Sequence, residues 1–220
     1  VDAASDGDEI IVMPGTYTST QDGHVVNMLG KAVTLRSSDP SDPDVVASTI
    51  IDGEDARRGL ACFNDETSGT IIDGFTISNG FSANFDYNNN GSIGTNEVNS
   101  GGGIYLFESI PIIQNCIFEN NNSPADYFGQ GGGGIYINGG DGASIAGCIF
   151  KFNEGGYGGG IHLQSTNFVN ISSCHFFGNT ATITSGSDGG ALRSDHSTSV
   201  IHNSIFTENN ANGEGGALIY

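Results

Sequence analysis

Residues Asp86 to Glu97 read Asp-Tyr-Asn-Asn-Asn-Gly-Ser-Ile-Gly-Thr-Asn-Glu, a stretch in which oxygen-bearing side chains recur at alternate positions. A calcium ion takes six to eight oxygen ligands, so side chains at the first, third and fifth positions converge on one point. Gly91, at the sixth position, permits the sharp turn, and Glu97, at the twelfth, closes the sphere with both carboxylate oxygens. The chemistry expected here is Ca2+ binding. Only Asp86 and Glu97 are anionic, which predicts weak affinity suited to extracellular calcium at about 10⁻³ M.

A second group of residues recurs at long spacing. Tyr105, Tyr136, His162 and Arg193 each follow an aliphatic residue of a repeated phrase, and Phe107, Asn138, Gln164 and Asp195 stand two positions further on. On parallel strands both rows face outward from one sheet. Rings there would stack on sugars and polar groups would bond their hydroxyls, so the rows are the candidate site for an extended glycan. In a lyase, Tyr136, His162 or Arg193 would be the base that removes a proton beside a uronate carboxyl while a cation neutralises that carboxyl. Asp195 completes the catalytic candidates. The competing reading is a solvated sheet face whose side chains only cover the strands.

The elements that must position these groups follow from the repeat. A Gly-Gly-x-aliphatic tetrad precedes a Phe-x-x-Asn tetrad four times: Gly101 to Ile104 with Phe118 and Asn121, Gly132 to Ile135 with Phe150 and Asn153, Gly158 to Ile161 with Phe176 and Asn179, and Gly189 to Leu192 with Phe206 and Asn209. A fifth opens at Gly215 and predicts a longer chain. The aliphatic residues 104, 135, 161, 192 and 218 lie 31, 26, 31 and 26 apart. Self-similarity at such a period marks a solenoid whose repeats bury their apolar faces against one another. Short alternating runs such as Ile104-Tyr105-Leu106 and Cys116-Ile117-Phe118 read as strands, and no apolar spacing of 3.6 runs through the repeat.

Aligned repeats give columns of like residues. Ile113, Ile145, Ile171 and Ile201 form one, Cys116, Cys148, Cys174 and Ser204 another, and the Phe and Asn of the tetrads two more. Stacked parallel strands about 4.8 Å apart produce such columns. The pairs Gln114-Asn115, Ala146-Gly147, Ser172-Ser173 and His202-Asn203 suit bends, Thr70 to Asn79 fits the same template, and the Asn column is expected to hydrogen-bond along the stack. The cysteines, with Cys62 in an earlier coil, read as buried free thiols, although stacking would also place them within disulfide reach. The expected fold is an all-β parallel β-helix of about six coils forming one domain over residues 1–220, with an insertion at about 80–100.

Lys and Arg total 6 against 25 Asp and Glu, a formal net charge of −19, which argues against nucleic acid and for cations as partners. No apolar run is long enough to span a membrane. The acidic, Gly- and Asn-rich composition points to an exported or surface-exposed chain.

The paired tetrads resemble the GG[A/I]-I and FxxN repeats of the chlamydial polymorphic membrane proteins and related bacterial right-handed parallel β-helix proteins, over about 101–220. Residues 6 to 53, with Asp6-Gly7-Asp8-Glu9-Ile10-Ile11-Val12, Lys31-Ala32-Val33-Thr34-Leu35 and Ile50-Ile51-Asp52-Gly53, are similar to the first coil of pectate-lyase-like proteins. These resemblances imply right-handedness and an adhesin-like or scaffolding surface protein, or else a polysaccharide-acting enzyme or glycan-binding module. The fold does not choose between them. The R-x-P-x-x-R of pectate lyases and the G-H-G and R-x-K of polygalacturonases are absent. The stretch at 86–97 resembles an EF-hand loop, without flanking helices. That resemblance implies side-chain ligation by Asp86, Asn88, Asn90 and Glu97 and a backbone carbonyl from Ser92.

Overall fold

A computed structural model describes residues 1–21, 23–82, 100–124, 131–183, 188–213 and 215–220. The expected calcium loop at 86–97 lies outside them. Nearly all regular structure is parallel strand, consistent with a β-helix solenoid. Three sheets hold seven strands each, and successive strands of the chain pass from sheet to sheet in turn. The first sheet runs from Glu9–Val12 to Ser199–His202, the second from Gly15–Tyr17 to Ile205–Thr207, and the third from His24–Asn27 to Leu218–Ile219. A fourth, of four two-residue strands, begins at Asn122–Ser123.

Residues 6–53, expected to make a single first coil, contribute two strands to each of the first two sheets: Glu9–Val12 with Thr34–Ser37, and Gly15–Tyr17 with Thr49–Asp52. Among the described residues one helix interrupts the all-β pattern, at Pro43–Ser48. Asp42 caps it, its carboxylate accepting from the Asp44 amide at 2.9 Å, and Pro43 opens the first turn, where a missing N–H costs nothing. The helix covers the second sheet locally, and Thr76 donates to the Val46 carbonyl.

The columns stand in register. Ile10, Leu35, Ile72, Ile113, Ile145, Ile171 and Ile201 pair strand to strand through the first sheet. Phe118, Phe150, Phe176 and Phe206 stack with ring centroids 4.7 Å apart and planes within 5°. The Asn column is a continuous ladder: the side-chain amides of Asn121, Asn153 and Asn179 each donate to the next Asn Oδ1 at 2.9 Å. The four thiols are buried and unbridged, and burial pushes those of Cys62 and Cys148 up.

Bends between the first and second sheets also form a column. Gly74, Asn115, Gly147, Ser173 and Asn203 all take positive φ, from 51° to 76°. An L-residue costs roughly 1–2 kcal/mol in this region, Gly and Asn less. Ser173 is exposed and is the misfit of the column, so Ser173→Gly is expected to stabilise the chain by up to about 1 kcal/mol, read as a higher denaturation midpoint.

The Gly tetrads serve close approach of backbones. A Cβ at Gly159 would sit 2.3 Å from the Gly190 carbonyl oxygen and 2.5 Å from the Thr180 nitrogen, both backbone atoms that cannot yield alone. Gly159→Ala is expected to cost about 2 kcal/mol or more, checked by urea unfolding.

Candidate functional site

The third sheet carries both expected rows. Tyr105, Tyr136, His162 and Arg193 occupy matched positions on adjacent strands, as do Phe107, Asn138, Gln164 and Asp195. They alternate with core residues such as Ile135, Ile137, Ile161 and Leu163, so they project from the opposite side of the sheet.

The first row is not the open face that the sequence suggests. Tyr105 is 2 % exposed, Tyr136 0 % and His162 1 %. Part of the cover is Tyr157, the aromatic residue within the glycine run at 155–160. Its ring lies 3.8 Å from the Arg193 guanidinium carbon and meets His162 edge-on at 5.6 Å. Tyr105 and Tyr136 stack at 5.9 Å, and Arg58, itself fully buried, lies 5.3 Å above the Tyr105 ring. The row forms a second buried layer outside the sheet. The second row, Phe107, Asn138, Gln164 and Asp195, is half-buried and is the part that meets solvent.

The polar groups of the layer are engaged with one another. His162 Nε2 lies 3.1 Å from Asp195 Oδ2, and Arg193 NH2 donates to Asp195 Oδ1 at 2.8 Å. Arg193 Nε is 2.6 Å from Asp195 Oδ2 but is not aimed for a hydrogen bond, so that contact is electrostatic. Asp188, also buried, takes the other side of Arg193 at 3.4 Å. The Tyr136 hydroxyl donates to Gln164 Oε1.

Burial opposes the charge on Asp195, yet hydrogen bonds from His162 and Arg193 hold its carboxyl down at about 2. Burial lowers His162 against the pull of Asp195, and raises Asp188 against the pull of Arg193. The Tyr136 phenol is pushed up by burial. The cluster is therefore a carboxylate clamped between a guanidinium and an imidazole, beside a phenol that resists ionisation. His162 Nδ1 and Asp188 Oδ2 have no hydrogen-bond partner among the described residues. At the solvent edge of the layer stand Phe107, Asn138, Gln164 and Asp195, while Tyr105, Tyr136 and His162 lie beneath.

The residues that sequence reasoning missed are Arg58, Tyr157 and Asp188. Tyr157 and Asp188 lie in or beside the glycine tetrads, where a lone large or charged residue was the available signal. Among the described residues no cluster of His, Cys, Asp or Glu has metal-binding geometry, and no helix is long and apolar enough to cross a membrane. The chain matches no protein-family model, no curated protein and no solved structure.

Proposed function

We propose that this chain is a right-handed parallel β-helix of an extracellular or outer-surface bacterial protein, acting in adhesion or as a rigid surface scaffold and stiffened by Ca2+ at Asp86, Asn88, Asn90, Ser92 and Glu97. The observation that carries the reading is the closure of the Tyr105 to Arg193 row: the best catalytic candidates are spent on mutual packing, beside unbroken Phe and Asn ladders. Right-handedness is supported by the strong preference of parallel crossovers for that hand. The repeat resemblance supports the surface role.

The half-exposed row Phe107, Asn138, Gln164 and Asp195 favours one further reading, a non-catalytic glycan-binding module on the same sheet. Purified chain incubated with polysaccharides is expected to release no product, whereas a deletion strain is expected to lose adhesion. Robust turnover would overturn the scaffold reading.

For the metal, calorimetric titration should give saturable Ca2+ binding near 10⁻³ M, the weak range of extracellular sites. It should raise the melting temperature, and both effects should vanish in Asp86→Ala plus Glu97→Ala. No binding up to roughly 10 mM would remove calcium from the proposal.

A further inference from the structure

Cys116, Cys148 and Cys174 each stand two residues before a phenylalanine of the core stack, so the spacing of the rings measures the spacing of the thiols. Phe118, Phe150 and Phe176 repeat at 4.7 Å with planes 4° and 5° apart, a nearly pure translation along the stack. The thiols follow the same translation. Their sulfurs lie 3.1, 3.4 and 3.3 Å from the carbonyl oxygens of Gln114, Ala146 and Ser172, and 3.9, 3.9 and 3.8 Å from those of Ile72, Ile113 and Ile145 on the preceding coil. One rotamer thus repeats three times, and neighbouring Sγ atoms, like neighbouring Cβ atoms, stand roughly 4.7 Å apart. A disulfide accepts Cβ atoms only about 3.5 to 4.5 Å apart, so this translation disfavours bridging.

We propose that Cys148 and Cys174 form a two-coordinate site for a soft monovalent metal ion, of the class of Cu+ and Ag+. Soft thiolate ligands select such ions. An ion midway between two sulfurs 4.7 Å apart has both at about 2.35 Å, close to the roughly 2.3 Å of a zinc thiolate bond. Each side chain lies across the stack axis, so its C–S bond meets that axis near a right angle, as a bent thiolate ligand requires. Among the described residues no three His, Cys, Asp or Glu groups converge on one point, but a linear pair needs only two. On binding, two S–H bonds break, two bonds from sulfur to the metal form, and two protons leave for solvent. The complex carries one negative charge in an apolar core, a cost that the bend offsets. A hydrogen bond from the Cys148 thiol lowers the Cys174 thiol, burial opposes this, and backbone groups at Cys148, Ser172 and Gly147 add to the lowering. Ser204 continues the column on the next strand, its hydroxyl accepting from the Cys174 amide at 3.2 Å, and it is half-buried beside the exposed Ile205. The ion can enter past Ser204, which places Cys174 ahead of Cys116 as the partner of Cys148.

The test is titration of silver nitrate into the reduced chain in chloride-free buffer, followed by native mass spectrometry and X-ray absorption at the silver edge. One ion should bind tightly per chain, with release of two protons and with two sulfur neighbours. Cys148→Ala and Cys174→Ala should each weaken binding roughly a hundredfold or more, beyond the loss typical of outer-shell changes, whereas Cys116→Ala should keep it. Circular dichroism checks that the variants are folded. Where an alanine variant is not, Cys148→Ser or Cys174→Ser, which introduces the hydroxyl that Ser204 already brings to this column, carries the same expectation. Absence of stoichiometric binding, nitrogen or oxygen neighbours in place of sulfur, unchanged affinity in a folded Cys148 or Cys174 variant, or loss of binding in folded Cys116→Ala would overturn the proposal.

Discussion

Asn153→Ala is expected to lower the unfolding free energy by about 4 kcal/mol, as four hydrogen bonds of roughly 1 kcal/mol each disappear together. The Asn153 amide donates to the Phe118 carbonyl at 3.0 Å and to Asn179 Oδ1 at 2.9 Å. Its Oδ1 accepts from the Asn121 amide side chain at 2.9 Å and from the Asn121 backbone at 3.1 Å. Asn121 and Asn179 are fully buried, so the groups left behind have no water to turn to and the desolvation penalty adds to the loss. Position matters as well. In a stack where each repeat touches only its neighbours, a broken central rung separates the two halves. Asn209→Ala removes a partly buried member nearer the last strands and should cost less. Denaturant unfolding of both variants checks the ranking, and a loss under about 1 kcal/mol for Asn153→Ala would mean that the ladder is ornamental to stability.

The ladder was legible in the sequence because parallel stacking places equivalent side chains directly above one another. One residue type repeated at one phase, as with Phe118 to Phe206 or Ile113 to Ile201, then has a single physical explanation. The bends were legible for the same reason, since Asn115, Gly147, Ser173 and Asn203 break the alternation at one point of each repeat and all take positive φ.

What lay over the third sheet was not legible. Period two assigns Tyr136 and His162 to the side away from the core, but it carries no information about a glycine-rich segment that returns across that side. Tyr157 and Asp188 reach the row through glycine turns, whose course no periodicity encodes. The helix at Pro43–Ser48 was legible in principle, since Asp42-Pro43-Asp44 carries a cap, a first-turn proline and a first-turn acid. Six residues of helix leave too short an apolar pattern to weigh against the strand repeat on either side.

Acidification from pH 7 to 4 is expected to remove about 2 kcal/mol of stability through His24. The strand His24–Asn27 pairs with Arg58–Cys62, and His24 faces Arg58 in register while its ring lies 6.0 Å from that of Phe63. Burial first, and the Arg58 charge second, lower the imidazole from 6.5 to about 4. Below pH 6.5 the unfolded chain therefore takes up a proton that the folded chain refuses, and the linkage favours unfolding until pH 4, beyond which both states are charged. A shift of that size corresponds to roughly 3.5 kcal/mol at about 1.4 per unit, which partial solvent exposure of the ring reduces to about 2. His162 is lowered as well and acts in the same direction. Asp195 adds a separate loss only from pH 3.8 down to about 2, as its clamped carboxylate is protonated. Urea unfolding at half-unit pH steps distinguishes the contributions. The parent should lose stability steadily between pH 6.5 and 4, and His24→Gln, which cannot titrate, should flatten that slope while leaving the fall below pH 3.8 in place. An unchanged slope in His24→Gln would assign the acid sensitivity to His162 and its pairing with Asp195.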